Sequence, residues 1–191
     1  MNDGSPFTER QVKPLVLPAT EHGGTSSGPL FLISSTRACN LCGNENIIVV
    51  LATKGLIAPD EPQEESDGYL LSYVEDLPAE VLEAVSKRHS NFEIRHSLTT
   101  DSDYFMTTCE CGGHYGDHYV QKQILIQAFR TPSELKVKKL FDSGNWTIPC
   151  SYSQSMEVGD LLDSQGYPLL APLLNEAGSL AKKSLLNQLK R

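Results

Sequence analysis

The sequence predicts an α+β domain in which an antiparallel sheet carries two cysteine turns. One helix is inserted between these turns, and a second helix lies near the C-terminus. Three observations support this prediction. Short apolar runs bounded by turn residues indicate strands. Two segments with apolar residues at three- and four-residue steps indicate helices. Two pairs of closely spaced cysteines are each followed by glycine, a pattern typical of metal-binding turns.

Strands are predicted where apolar and β-branched residues cluster between turns. The first strand begins over 31–33, and 46–53 is rich in isoleucine and valine, as in a buried strand. Over 92–98 the apolar residues Phe92, Ile94 and Leu98 share one parity, which is typical of a half-buried strand. Further strands are predicted over 104–108, 118–129 and 135–141, and the expected core residues of 118–129 are Tyr119, Ile124 and Ile126.

The two helices are predicted from capping and spacing. Over 76–89, Asp76 caps the first turn and Pro78 sits where its missing N–H costs nothing. Leu77, Val81 and Val85 recur at helical spacing and make one apolar face. The second helix is predicted over 173–189, where its apolar face is made by Leu174, Ala177, Ala181, Leu185 and Leu189.

The chain divides into three predicted regions. Proline and glycine punctuate residues 1–28, which are expected to be a flexible lead-in. Residues 29–152 form the domain, and 153–191 form a C-terminal extension with the amphipathic helix. The N-terminus lacks a basic region followed by an apolar run, and the apolar stretches are shorter than the ~20 residues of a membrane span. A cytoplasmic protein is expected, in which thiols stay reduced.

Composition limits the classes of partner. The chain has 191 residues, the length of one ordinary domain, and a formal net charge of −8. Because phosphate neutralisation supplies most non-specific nucleic-acid affinity, the acidic charge counts against nucleic acid as a partner. The negative field favours solubility and a basic partner. Another protein is therefore the expected partner.

The four paired cysteines predict a structural zinc site. Cys39 and Cys42 form C-x-x-C-G, which lets two sulfurs face one ion. Cys109 and Cys111 supply a second pair, also followed by glycine. Zinc in a structural role takes four such ligands in a closed tetrahedron. Cys150 stands apart and is expected to be a small core residue.

Alternatives remain for this cluster. The second pair is C-x-C, one residue shorter than a usual knuckle, so either Cys109 or His114 completes the site, and His118 is a weaker substitute. A redox pair of Cys39 and Cys42 is a second interpretation, although it leaves the later pair unexplained. Four cysteines also suit an iron–sulfur cluster.

The region 37–129 resembles a family of uncharacterised bacterial zinc-ribbon-like proteins. The residues that carry the resemblance are the segment from Arg37 to Gly43, the helix over 76–89, Tyr104-Phe105-Met106 and the segment from Cys111 to Asp117. The family pattern has C-x-x-C-G early and C-x-x-C-G-x-x-x-G-D later. The resemblance implies a zinc ribbon-like fold and a bound metal, and it implies no activity.

The function expected from these features is a zinc-binding protein-interaction module, such as an adaptor, regulator or immunity-like inhibitor, rather than an enzyme. The first alternative is a zinc-dependent hydrolase that uses His114, His118 and Asp117. Outside such a site, Asp117 is expected to accept backbone N–H groups of a turn. The second alternative is a nucleic-acid-binding zinc ribbon. Its cationic residues would be Arg130, Lys136, Lys138, Lys139, Lys182, Lys183, Lys190 and Arg191.

Overall fold

Three antiparallel sheets and three helices form the part of the chain that the computed structural model describes, residues 24–57 and 68–164. The central sheet has the order β11 (Ser151–Ser155), β5 (Gly68–Ser72), β3 (Glu45–Thr53), β2 (Leu30–Ala38), β9 (Lys136–Phe141). The second sheet has the order β10 (Asn145–Ile148), β1 (Gly24–Ser27), β4 (Leu56–Ile57), and the third β6 (Phe92–Ser97), β7 (Ser102–Thr108), β8 (His114–Tyr115). The helices are α1 (Ala79–Ser86), α2 (Asp117–Arg130) and α3 (Met156–Ser164).

The predicted α+β class with antiparallel sheets is confirmed. The β2–β3 hairpin lies at the centre of the five-stranded sheet. Leu30 pairs with Thr53 at one end of the hairpin, and Ala38 pairs with Glu45 at the other. The halves of both strands farther from the cysteine turn, 30–35 and 48–53, are continuously buried because the sheet is covered on both faces there. One core lies between the sheet and helices α2 and α3, and the other lies between the sheet, α1 and the β6–β7 hairpin.

The prediction of a strand over 118–129 is wrong, because these residues lie in helix α2. Its buried residues include Val120, Ile124 and Ala128, which recur every four positions and face the first core. A four-residue repeat is the period of a helix face, whereas a strand buries every second residue. Apolar residues on the exposed side of α2, such as Tyr119, Ile126 and Phe129, obscured the difference between the two periods.

Burial also departs from the sequence prediction at several residues. Tyr119 and Ile126 are exposed on α2 instead of lying in the core, whereas Ile124 is buried as expected. In the third sheet β6 ends at Ser97, so Leu98 lies beyond the strand and is exposed. Ile94 is exposed as well, because Phe92 is the one residue of β6 in the second core.

The ordered fold extends past both predicted domain bounds. Strand β1 falls within the predicted lead-in and pairs with both β10 and β4. Helix α3 falls within the predicted extension and packs closely on β5: a Cβ added at Gly68 would lie 2.6 Å from the backbone nitrogen of Gly159. The helix predicted over 173–189 lies outside the described residues. In the described residues no helix has the length and apolar character needed to cross a membrane.

Candidate metal centre

Each cysteine pair lies at the tip of a β-hairpin. Cys39 and Cys42 occupy the turn between β2 and β3, directly after the Ala38–Glu45 pair closes that hairpin. Cys109 and Cys111 occupy the turn between β7 and β8, after Thr108 pairs with His114. The two hairpins belong to different sheets, so the cysteine turns join separate parts of the fold.

The first turn is closed by two backbone hydrogen bonds. The N–H of Gly43 donates to the carbonyl of Cys39 at 2.8 Å, and the N–H of Cys39 donates to the carbonyl of Asn44 at 2.8 Å. Gly43 has φ +77°, a conformation that glycine adopts without the steric cost of a side chain. The glycine after the C-x-x-C pair therefore allows the chain to reverse there.

The second turn is also closed by two backbone hydrogen bonds of its first cysteine, but it is one residue shorter. The N–H of Gly112 donates to the carbonyl of Cys109 at 2.8 Å, and the N–H of Cys109 donates to the carbonyl of Gly113 at 2.7 Å. Each bond spans one position less than its counterpart in the first turn, and Gly112 has φ +88°. The shorter C-x-C spacing is thus accommodated by a tighter turn that still presents both sulfurs on one side.

The four sulfurs converge at one point. All four lie within 4.8 Å of one another. Two contacts cross between the turns: Cys39 Sγ is 3.6 Å from Cys111 Sγ, and Cys42 Sγ is 3.6 Å from Cys109 Sγ. Cys39 and Cys109 are buried, whereas Cys42 and Cys111 are exposed. This set of four soft donors fits a tetrahedral metal ion held at the protein surface.

Residues on the protein side of the cysteine cluster hold the sulfurs in place. The side-chain amide of Asn46 donates to Cys109 Sγ at 3.3 Å and to the Tyr115 hydroxyl at 2.9 Å. Tyr115 is buried beneath the cysteines. A Cβ added at Gly113 would lie 3.0 Å from Cys39 Sγ, so the absence of a side chain there makes room for the sulfur. Such contacts orient ligands around a metal.

Backbone N–H groups and neighbouring sulfurs shift the pKa values of three of the thiols. The backbone N–H of Cys42 points at Cys39 and lowers the pKa of its thiol to about 6. The backbone N–H of Cys111 lowers the pKa of Cys109. The N–H of Gly113 acts on Cys111 in the same direction, but the other three sulfurs outweigh it and raise the pKa of Cys111 to about 12. Four thiolates this close require a cation to balance their charge.

The residues of the alternative hydrolase site do not form a comparable group. His114 and His118 are exposed, and the ring of His118 packs edge-on against Tyr119 at 5.4 Å between centroids. Asp117 Oδ2 accepts the backbone N–H of Tyr73 at 2.5 Å. In the described ranges, the four cysteines are the only set of three or more His, Cys, Asp or Glu side chains with ligand atoms close enough for one ion.

Asp117 occupies a position that the sequence did not reveal. The residue keeps part of its surface, but its carboxyl group is surrounded by protein atoms, and this desolvation raises its pKa to about 7. The Tyr73 N–H opposes the shift. Tyr73 has φ +49°, and its ring lies edge-on to Tyr104 with 5.0 Å between centroids. Asp117 thus joins the start of α2 to the end of β5, and the backbone N–H that it accepts comes from a residue 44 positions away instead of from its own turn.

The remaining candidate residues lie away from the cysteines. Cys150 is half-buried beside the second core. Lys136 and Lys138 lie on β9, an edge strand of the central sheet, where lysines discourage pairing with another strand. Lys139 forms an ion pair with Asp142 at 3.0 Å.

Comparison of the chain with protein-family models, curated proteins and solved structures found no match. The resemblance to zinc-ribbon-like proteins therefore stays a prediction, and the metal centre is described by its own geometry. That geometry establishes a cluster of four cysteines that can hold a metal ion.

Proposed function

We propose that the protein binds one zinc ion through Cys39, Cys42, Cys109 and Cys111 and that this zinc has a structural role. The observation that carries the proposal is the convergence of four sulfurs within 4.8 Å from two hairpin tips. Zinc fits a set of four thiolates in a small tetrahedral site. Four protein ligands leave no open position for water or substrate, which distinguishes structural from catalytic zinc sites.

The position of the cluster supports a structural role. The β2–β3 hairpin belongs to the central sheet and the β7–β8 hairpin to the third sheet. A direct hydrogen bond also joins these sheets, from the Val49 N–H to Thr107 Oγ1 at 3.2 Å. A metal ion shared by the two turns would fix the third sheet to the central one, so part of the folding free energy would depend on metal.

Substitution of one ligand tests the zinc proposal, with a matched cysteine as control. We expect Cys42→Ser to lose stoichiometric zinc and to lower Tm strongly, because ligand loss removes metal-coupled folding energy. Cys150→Ser removes a thiol outside the cluster and should keep its zinc. Metal analysis and thermal unfolding of both variants give the comparison. An unchanged Tm and zinc content in Cys42→Ser would contradict the proposal.

We propose further that the zinc-stabilised domain is a protein-interaction module of the cytoplasm, of bacterial type, acting as an adaptor, regulator or inhibitor. Large exposed apolar side chains support it, since contiguous apolar surface on a folded domain is typical of interaction sites. Three of them, Tyr119, Ile126 and Phe129, lie on α2. The net charge of −8 favours a protein over a nucleic acid as partner.

Affinity capture tests the interaction role. The zinc-loaded full chain, tagged and incubated with lysate of its source organism, should retain a partner at a reproducible stoichiometry, and cross-linking should map the contact. Protein stripped of metal should lose this partner together with its fold. Repeated captures that return no stoichiometric partner would contradict the module.

A further inference from the structure

The solvent-exposed face of helix α2 carries large apolar side chains that belong to neither core. Tyr119 is 62% exposed, Ile126 45% and Phe129 71%. They follow one another at steps of seven and three residues, so they line one side of the helix. The opposite side of α2 already packs on the central sheet through Val120 and Ile124. The exposed residues therefore add nothing to the core.

The same face carries positive charge. Lys122 lies between Tyr119 and Ile126 in the helix, and Arg130 follows Ile126 by four positions. Neither cation forms an ion pair with any described residue. The one acidic residue of α2, Asp117, is directed at the Tyr73 N–H. Lys122 and Arg130 thus give this face two positive charges on a chain whose net charge is −8, and the Glu134 carboxylate lies beside the same helix, 3.2 Å from the Gln127 amide.

We propose that this face of α2, formed by Tyr119, Lys122, Ile126, Phe129 and Arg130, binds an acidic amphipathic helix of a partner protein. The inference rests on the proposed role as an interaction module and names the partner's chemistry. Tyr119 and Phe129 are ten residues apart, which is about 15 Å along a helix. A partner helix of about three turns would match that length, with apolar residues at i, i+3, i+4 and i+7.

Charge complementarity favours an acidic helix as the partner of this face. Carboxylates on the flanks of the partner helix would pair with Lys122 and Arg130, and electrostatic matching fixes partner choice and register. The chain's own residues 177–191 carry four basic side chains and no acidic side chain, so they would repel these cations. Two cations on an acidic domain release too few counterions to hold a nucleic acid.

A synthetic peptide tests the proposal directly. The probe is a fluorescein-labelled amphipathic helix with leucine on one face and glutamate on its flanks. The control peptide has the same leucines with lysine in place of glutamate. Fluorescence anisotropy with the zinc-loaded full chain should show saturable binding of the glutamate peptide, weakened by salt, and little binding of the lysine peptide.

Variants of the protein locate the binding site. Phe129→Ser and Tyr119→Ser should each raise the peptide Kd by about tenfold or more, as expected when an aromatic contact residue is lost. Leu98→Ser is the matched control, because Leu98 is 90% exposed and follows β6 in the chain instead of belonging to α2. Its Kd should equal that of the unmodified chain. Circular dichroism and zinc content confirm that each variant folds.

Several results would overturn the proposal. Equal affinity for the two peptides, or an unchanged Kd in Phe129→Ser, would show that this face does not bind an acidic helix. Binding of single-stranded RNA or of phosphatidylserine vesicles that Phe129→Ser abolishes would assign the face to another class of partner. A partner captured equally by Phe129→Ser and the unmodified chain would refute the inference while leaving the interaction module in place.

Discussion

The side-chain amide of Asn46 lies 3.3 Å from the sulfur of Cys109, although 63 positions separate the two residues. Asn46 follows the first cysteine turn, whereas Cys109 begins the second. The same amide also contacts the carbonyl of Asn44 at 3.0 Å and the hydroxyl of Tyr115 at 2.9 Å. The Asn46 side chain thus contacts both cysteine turns and Tyr115, the residue buried beneath them.

Removing this amide should weaken the metal site without unfolding the domain. We expect Asn46→Ala to lower zinc affinity about 10- to 100-fold, the usual effect of losing a group that orients a ligand. Asn44→Ala is the matched control, because Asn44 contributes its backbone carbonyl to these contacts and keeps it. Competition with a chelator measures both affinities. Equal affinities would show that Asn46 does not support Cys109.

The adjacent glycines Gly112 and Gly113 should respond differently to alanine. Gly112 has φ +88°, but the position that an alanine Cβ would take there is open, so Gly112→Ala should cost about 1–2 kcal/mol of unfolding free energy and keep zinc. At Gly113 the new Cβ would lie 3.0 Å from Cys39 Sγ and must displace it. Gly113→Ala should therefore lower zinc affinity about tenfold or more. Urea unfolding and chelator competition separate the two effects.

Replacing the two exposed histidines should leave the metal in place. His114 and His118 are not part of the cysteine cluster, so His114→Ala and His118→Ala should each retain the zinc content of the unmodified chain. Metal analysis after dialysis is the measurement. Loss of zinc in His114→Ala alone would identify His114 as the fourth ligand in place of Cys109.

The buried carboxyl of Asp117 should make stability depend on pH. Its folded-state pKa, about 7, lies above the usual value of 3.8, so the folded protein binds this proton more tightly than the unfolded chain. The stabilising contribution is complete below about pH 4 and is lost as pH rises through about 7. Each unit of pKa difference corresponds to about 1.4 kcal/mol.

Asp117→Asn isolates this contribution, because the amide keeps an oxygen that accepts the Tyr73 N–H but carries no charge. The stability of Asp117→Asn relative to the unmodified chain should rise between about pH 5 and about pH 8. Taking the difference at each pH cancels the contribution of the metal site. Urea unfolding across this range gives the values, and a difference independent of pH would contradict the raised pKa.

The local signals in the sequence were sufficient for the cysteine turns and for strands β2, β3, β6, β7 and β9, whereas the other six strands of the described residues were not predicted. Glycine after Cys42 and after Cys111 indicated the reversals that the structure shows at φ +77° and φ +88°. The apolar run in β3 indicated a strand buried on both faces. These features depend on neighbours within a few residues, which is why the sequence reveals them.

Features that depend on distant contacts were not predictable. Helix α2 has a weak apolar pattern, because Tyr119, Ile126 and Phe129 lie on its exposed side and obscure the buried one. The hydrogen bond of Asp117 joins it to Tyr73 at the end of β5, 44 positions earlier in the chain. The close approach of α3 to Gly68 likewise joins segments that no local pattern connects.

X-ray absorption at the zinc edge, combined with metal analysis of the 191-residue chain, tests the central claim most directly. The predicted result is one zinc ion per chain with a shell of four sulfur atoms at about 2.3 Å. Protein purified without chelators yet lacking stoichiometric zinc, or a shell containing nitrogen, would contradict a site built from Cys39, Cys42, Cys109 and Cys111.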